Sequence, residues 1–249
     1  MRDYVRLSRT QTYSLLFAIP LLVLYEVGAA LLADGGAAQL RNGADVLLRM
    51  LLAAGGVEGT LQFTGVLIAV AAVVIWLEQR RRTVPLRATI FAGMAAESLA
   101  YALVFGAVVG TATQWILQGM SVRLAQGTGI MGSLTLEEGI VLSLGAGIYE
   151  ELVFRVLLVG GIFGVFRSSG LARRRAGIFA AILAALIFSG FHYIGPYGDA
   201  WAIPSFMFRF LAGLAFSALF LLRGFGIAAW THALYDVVLF LARGNLLVE

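Results

Sequence analysis

The sequence predicts an all-α, polytopic membrane protein, a bundle of about seven transmembrane helices (eight at most) around a buried polar cavity. Of the 249 residues, 60% are hydrophobic and only 13% are charged, and the mean hydropathy is +0.90. Long apolar runs recur along the whole chain, with no linker or soluble domain between them. We therefore treat residues 1–249 as one multi-pass membrane domain.

Seven apolar segments come near or exceed the roughly 20 residues that a helix needs to cross a bilayer. They are residues 12–32, 61–77, 89–116, 136–166, 176–193, 202–222 and 226–242. Residues 45–54 are too short to cross and include Asp45 and Arg49, so an interfacial or re-entrant helix is predicted there. Thr135 and Glu138 form a capping-box pattern at the start of the fourth span.

The arginines indicate how the chain is oriented. With a cytoplasmic N-terminus, 12 of the 18 lie on the cytoplasmic side and four on the other. The cytoplasmic twelve are Arg2, Arg6, Arg9, Arg80, Arg81, Arg82, Arg87, Arg167, Arg173, Arg174, Arg175 and Arg223, and the other four are Arg41, Arg49, Arg123 and Arg243. The basic charge therefore indicates membrane topology and not nucleic-acid binding. We expect a bacterial cytoplasmic (inner) membrane and lipid contacts, with the oligomeric state open.

Three ionisable side chains interrupt the fourth span. A charge near the bilayer centre costs about 2.5–3.5 kcal/mol on insertion scales, so Glu150, Glu151 and Arg155 require a purpose. Glu151 and Arg155 are four residues apart and share a helix face, where they can form an ion pair. Glu150 points about 100° away and is the candidate general base. The alternative is that both glutamates merely neutralise Arg155.

The only two histidines of the chain also lie in apolar segments. Phe188 precedes His192 by one helical turn, and His232 precedes Asp236 by the same spacing. Asp236 could fix the tautomer and orientation of the His232 ring. A membrane histidine taken alone is more often a packing residue, but both of these occur in such settings together with Glu150.

The ordered set Glu-Glu-xxx-Arg, Phe-xxx-His and His-xxx-Asp resembles the CAAX-protease and bacteriocin-processing (CPBP, or Abi) family of intramembrane endopeptidases. The resemblance covers residues 136–242 as a catalytic core and leaves residues 1–135 as N-terminal accessory helices. It implies that Glu151 and Arg155 are a supporting ion pair and that Phe188 packs beside the site. It also implies hydrolysis of a peptide bond in a membrane-associated protein or peptide, without a cofactor.

The same resemblance implies that Glu150 activates water with His192 as its partner. His232 and Asp236 would polarise the scissile carbonyl and stabilise the oxyanion. In the prenyl-protein endopeptidases the last position is Asn, whereas an ionised Asp236 cannot donate a hydrogen bond. We therefore expect Asp236 to orient His232 and the His232 ring to stabilise the oxyanion.

Three other functions remain open from the sequence. Glu150, His192, His232 and Asp236 could instead bind zinc in a membrane metalloprotease, although no HExxH pair is present. The chain could also be a non-catalytic immunity or partner-binding protein. A proton-relay transporter is disfavoured because no repeated halves are visible.

Single charged residues also occur in other membrane segments, where each is expected to form an ion pair. Glu26 lies in the first span, Glu97 in the third and Arg209 in the sixth. We expect Glu26 or Glu97 to pair with Arg209.

Overall fold

The computed structural model describes residues 2–34, 41–117, 134–195 and 198–246, and all regular secondary structure within these ranges is helical. The helices are α1 (Arg2–Ser8), α2 (Gln11–Asp34), α3 (Gly43–Ala53), α4 (Thr60–Arg81), α5 (Ala88–Leu117), α6 (Leu136–Gly145), α7 (Gly160–Ser168), α8 (Arg173–Phe191), α9 (Ile203–Arg223) and α10 (Phe225–Leu246). The predicted all-α class is therefore confirmed. Of the arginines used for topology, Arg123 lies outside the described residues.

Within the described part of the chain, six helices are long and apolar enough to cross a membrane: α2, α4, α5, α8, α9 and α10. They coincide with six of the seven predicted spans. The short helix α3, as expected, does not reach the length of a span, because 11 residues of α-helix extend only about 16 Å.

The remaining predicted span, residues 136–166, lies in a segment that is helical from Leu136 to Ser168 but not uniformly α-helical. It begins at the predicted capping box, where the Thr135 hydroxyl accepts from the Glu138 N–H at 3.3 Å and the Glu138 carboxylate accepts from the Thr135 N–H at 2.8 Å. After α6 it widens into π-helix over Ala146–Glu150 and Leu152–Val159, and it returns to α-helix in α7. π-Helical turns are rare and occur frequently at functional sites. The three predicted membrane charges all lie in or between these two π-helical segments.

Helix α10 is the centre of the bundle. Half of its apolar window is buried, against 6% for α4, which lies at the periphery. It packs on α2, α5, α6, α9 and the π-helical segments. Gly147 permits one of these close approaches, since a Cβ there would lie 2.5 Å from the Ala229 carbonyl oxygen and 2.6 Å from the Ala233 Cβ. The lack of a side chain at Gly147 therefore brings α10 against the segment that carries the glutamate doublet.

Helix α3 packs on the same π-helical segment, and charged side chains hold it there. Arg49 donates to Glu26 at 2.8 Å and to Asp45 at 2.6 Å, and Arg41 donates to Asp45 at 2.8 Å. The Tyr149 hydroxyl, beside the doublet, donates to Glu26 at 2.5 Å. Two carboxylates and two guanidiniums thus neutralise one another next to Tyr149, and we call these four side chains the α3 ion network.

The predicted pairing of Arg209 with Glu26 or Glu97 is wrong. Arg209 pairs with Asp199 in the loop before α9, whereas Arg223 binds Glu97 through two contacts of 2.6 and 2.7 Å. Asp199 and Glu97 each pair with an arginine that the fold brings beside them. Separation along the sequence does not reveal which arginine that is. Beside the Glu97–Arg223 pair, burial and a 2.5 Å hydrogen bond to Glu97 raise the pKa of Tyr4 to about 12.

Candidate active site

The three predicted motifs meet in the interior of the bundle. The π-helical segments supply Glu150, Glu151 and Arg155, the end of α8 supplies Phe188 and His192, and α10 supplies His232 and Asp236. Contacts between side chains of different motifs hold the three motifs together.

His232 is the residue at which these contacts converge. Its Nδ1 lies 2.8 Å from the Glu151 Oε1, and its Nε2 lies 3.5 Å from the Asp236 Oδ2 and 4.0 Å from the Glu150 Oε2. An ionised carboxylate only accepts hydrogen bonds, so the short contact to Glu151 indicates a proton on Nδ1. Nε2 is then the ring atom that faces Glu150 and Asp236.

The contact between Glu151 and His232 is not evident from the sequence. Helical spacing predicts a pair of Glu151 with Arg155 alone, and the expected orienting group for the ring is Asp236. The predicted ion pair is present, with Arg155 Nη1 3.2 Å from Glu151 Oε1, but the same oxygen also binds His232. The contact that orients the ring is therefore the one to Glu151, because it is much shorter than the contact to Asp236.

Glu150 is buried and has a partner that the sequence analysis did not identify. Asn42, the N-cap residue of α3, donates its Nδ2–H to Glu150 Oε1 at 2.9 Å. The other carboxylate oxygen, Oε2, is the one that lies near His232. The only signal in the sequence is that Asn precedes an amphipathic segment, which indicates a helix cap and nothing about chemistry.

His192 lies just beyond the last residue of α8. Its Nδ1 is 2.9 Å from the Phe188 carbonyl oxygen. Because a carbonyl can only accept, Nδ1 carries a proton, and in the neutral ring Nε2 holds the lone pair. The Phe188 ring lies beside both imidazoles, with its centroid 4.9 Å from that of His192 and 6.5 Å from that of His232. His192 thus has the tautomer that an acceptor of protons at Nε2 requires.

Aromatic rings enclose the charged groups. The Arg155 guanidinium carbon lies 4.4 Å from the centroid of the Phe188 ring, and the same ring meets His192 edge-on at 4.9 Å. Phe216 of α9 stacks on the His232 imidazole at 4.3 Å, a contact that no motif in the sequence indicated. Arg155, which is 1% exposed, is stabilised by this cation–π contact as well as by Glu151.

Within the described residues, no group of three or more His, Asp or Glu side chains has a geometry suited to holding a metal ion. Three of the four candidate zinc ligands, Glu150, His192 and His232, make hydrogen bonds to protein groups. Glu150 accepts from Asn42, and the Nδ1 atoms of both histidines bind oxygen acceptors.

Residues 133–238 match the family model described as type II CAAX prenyl endopeptidase, Rce1-like. No curated protein and no solved structure matches the chain. The matched segment contains every one of the motif residues described above. The family match and the six apolar helices together indicate an integral membrane protein. Residues 133–238 are therefore similar to an Rce1-like domain, and this match supports membership of the CAAX-protease (CPBP) family.

Proposed function

We propose that this protein hydrolyses a peptide bond of a membrane-anchored protein or peptide by a glutamate-dependent mechanism that requires no metal. The observation that carries the proposal is the arrangement around His232, which lies between two consecutive carboxylates, one at each ring nitrogen. The family match supports the class of reaction, and the contacts support the role proposed for each group.

Glu150 is the group that activates water. Asn42 occupies its Oε1, so Oε2 is the oxygen that takes a proton from water while the water oxygen bonds to the carbonyl carbon. His192, with its lone pair on Nε2, assists this proton transfer. General base catalysis of this kind contributes about 10²–10⁴-fold.

His232 stabilises the developing oxyanion. Glu151 holds the ring by Nδ1–H, and the carboxylates of Glu150 and Asp236 beside Nε2 favour a second proton there, so that the ring acts as an imidazolium. Its Nε2–H donates to the carbonyl oxygen as that oxygen becomes negative. The C–N bond then breaks, and the proton held by Glu150 passes to the departing amine. No covalent intermediate forms. Asp236, close to Nε2, stabilises the donor ring electrostatically.

The orientation of the chain forms part of the proposal. Three arginines near the α3 end of the bundle, Arg41, Arg49 and Arg209, are held in ion pairs, whereas the arginine-rich loops lie at the other end. We place the N-terminus and those loops in the cytoplasm of a bacterium, in accordance with the positive-inside rule.

The direct test is cleavage of a defined peptide by the purified protein in detergent. The substrate is an internally quenched peptide ending in a farnesylated Cys-aliphatic-aliphatic-X sequence, and a second peptide carries a palmitoyl anchor in place of the farnesyl group. We expect cleavage of at least one, abolished by Glu150→Gln and unchanged by Glu137→Gln. Glu137 is a matched control because it lies exposed at the start of the same helix.

The outcomes separate the rival functions. Cleavage that persists in a metal chelator supports the glutamate mechanism, and cleavage lost in chelator and restored by zinc supports the metalloprotease. Folded protein that cleaves neither peptide contradicts the proposal in favour of a non-catalytic role. Activity in Glu150→Gln contradicts the assignment of the base.

A further inference from the structure

One contact to the catalytic carboxylate comes from outside the Rce1-like domain. Asn42 belongs to the first third of the chain, 108 positions before Glu150, and yet its amide reaches Glu150 Oε1. We propose that Asn42 is a positioning residue for Glu150, so that helix α3 completes the active site. The proposal rests on the proposed function, because it assumes that Glu150 activates water.

The orientation of the Asn42 amide follows from its two partners. Its Oδ1 accepts from the Ala44 N–H at 2.8 Å, as a helix N-cap does, and its Nδ2 donates to the Glu150 carboxylate at 2.9 Å. A backbone N–H can only donate and a carboxylate can only accept, so the reversed amide would lose both bonds. The Asn42 side chain is therefore held at both ends.

The backbone of Asn42 is fixed as well. Its N–H donates to the Tyr25 hydroxyl oxygen at 3.1 Å, and that hydroxyl donates to Asp45 in the α3 ion network at 2.8 Å. Gly145, one turn before the doublet, leaves room for the approach, since a Cβ there would lie 3.0 Å from the Asn42 Cβ. The cap residue thus cannot move away from Glu150 without disturbing α2, α3 and the ion network.

Asn42 makes the two oxygens of Glu150 unequal. The amide occupies Oε1, which leaves Oε2, 4.0 Å from His232 Nε2, to face the reacting groups. Without the amide, the carboxylate could rotate or turn Oε1 toward the site. Holding the base in one geometry is what a catalytic site requires of its supporting residues.

Two substitutions separate this role from helix capping. Serine and aspartate are both good N-caps, so Asn42→Ser and Asn42→Asp preserve the start of α3. Asn42→Ser removes the amide donor, and Asn42→Asp also places a second carboxylate against Glu150. We expect Asn42→Ser to lower kcat for the farnesylated peptide by about 10- to 100-fold with little change in KM, and Asn42→Asp to lower kcat further.

The cap control is Thr135→Ala, which removes the side-chain cap of α6 and should reduce thermal stability while leaving kcat unchanged. A purely structural Asn42 would give wild-type kcat in both Asn42→Ser and Asn42→Asp, and that result overturns the inference. If Glu150→Gln is inactive in the same experiment, the proposed function stands although the inference fails. If Glu150→Gln is active, the proposed function itself is contradicted.

A second measurement tests the contact without activity. The chain contains no cysteine, so the double variant Asn42→Cys/Glu150→Cys can be treated with a short bifunctional methanethiosulfonate without background. We expect an intramolecular cross-link there and none in Asn42→Cys/Glu137→Cys. Equal cross-linking in the two pairs contradicts the placement of α3 against Glu150.

Discussion

Replacing Glu151 by glutamine is the most informative perturbation, because one oxygen of this residue contacts two partners. Glu151 Oε1 lies 2.8 Å from His232 Nδ1 and 3.2 Å from Arg155 Nη1, and the side chain is fully buried. Glutamine preserves the volume and an acceptor oxygen but removes the charge. Arg155 then remains as a buried cation without its counter-ion, a change that typically costs about 3–5 kcal/mol. We expect a loss of unfolding free energy of that size.

The double variant Glu151→Gln/Arg155→Met separates stability from catalysis. With both charges removed, the desolvation cost of the ion pair disappears as well, and such replacements are often neutral in stability. His232, however, still lacks the negative charge beside its Nδ1–H, because the glutamine oxygen is a neutral and weaker acceptor. We therefore expect the double variant to recover most of the unfolding free energy while kcat stays about 10- to 100-fold below wild type.

Both quantities can be measured on the same purified samples, stability by denaturant unfolding in micelles and kcat with the farnesylated peptide. Recovery of full kcat in the double variant would refute the reasoning, because it would mean that Glu151 serves only to neutralise Arg155. Failure of the double variant to recover stability would refute the ion-pair part instead.

Three further predictions test the packing and the topology. Gly147→Ala should cost about 1–3 kcal/mol of unfolding free energy and lower kcat, because its methyl would overlap α10, whereas Gly164→Ala, with nothing within 4 Å, should change neither. Arg223→Met should lower the unfolding free energy by about 1–3 kcal/mol and leave kcat unchanged, since Arg223 binds Glu97 and Ser8, which belong to none of the three motifs; a matching loss of kcat would contradict that separation. In intact spheroplasts an impermeant maleimide should label Glu58→Cys, whereas Ser168→Cys should react only after lysis, and the reverse pattern would place the N-terminus outside.

The sequence predicted those features that depend on local pattern. Six of the seven apolar runs predict a membrane-crossing helix among the described residues: for example, residues 89–116 are expected, and Ala88–Leu117 is observed. The ion pair between Glu151 and Arg155 also follows from helical spacing, and it persists although the segment is π-helical. In both cases the information lies within a few residues of the feature.

Contacts between distant segments were missed for the opposite reason. Asn42 and Glu150 are separated by 108 positions, and Glu151 and His232 by 81. No periodicity links such positions, because the contacts depend on how α3 and α10 pack against the π-helical segments. The wrong partner for Arg209 has the same origin, since the pairing of membrane charges depends on which end of the bundle each helix presents.

Two consecutive glutamates can serve different purposes here because His232 has two different nitrogens. On an α-helix, neighbouring side chains diverge by about 100°, which favours separate partners for Glu150 and Glu151. The π-helical segments instead bring both carboxylates to one imidazole, with Glu151 at Nδ1 and Glu150 on the side of Nε2. In the proposed mechanism, the nitrogen that binds Glu151 keeps its proton and sets the orientation of the ring, so the other nitrogen is the one that meets the substrate. The chemistry of the doublet therefore follows from the geometry of the ring between its members, and not from burial or from the ion pair with Arg155 alone.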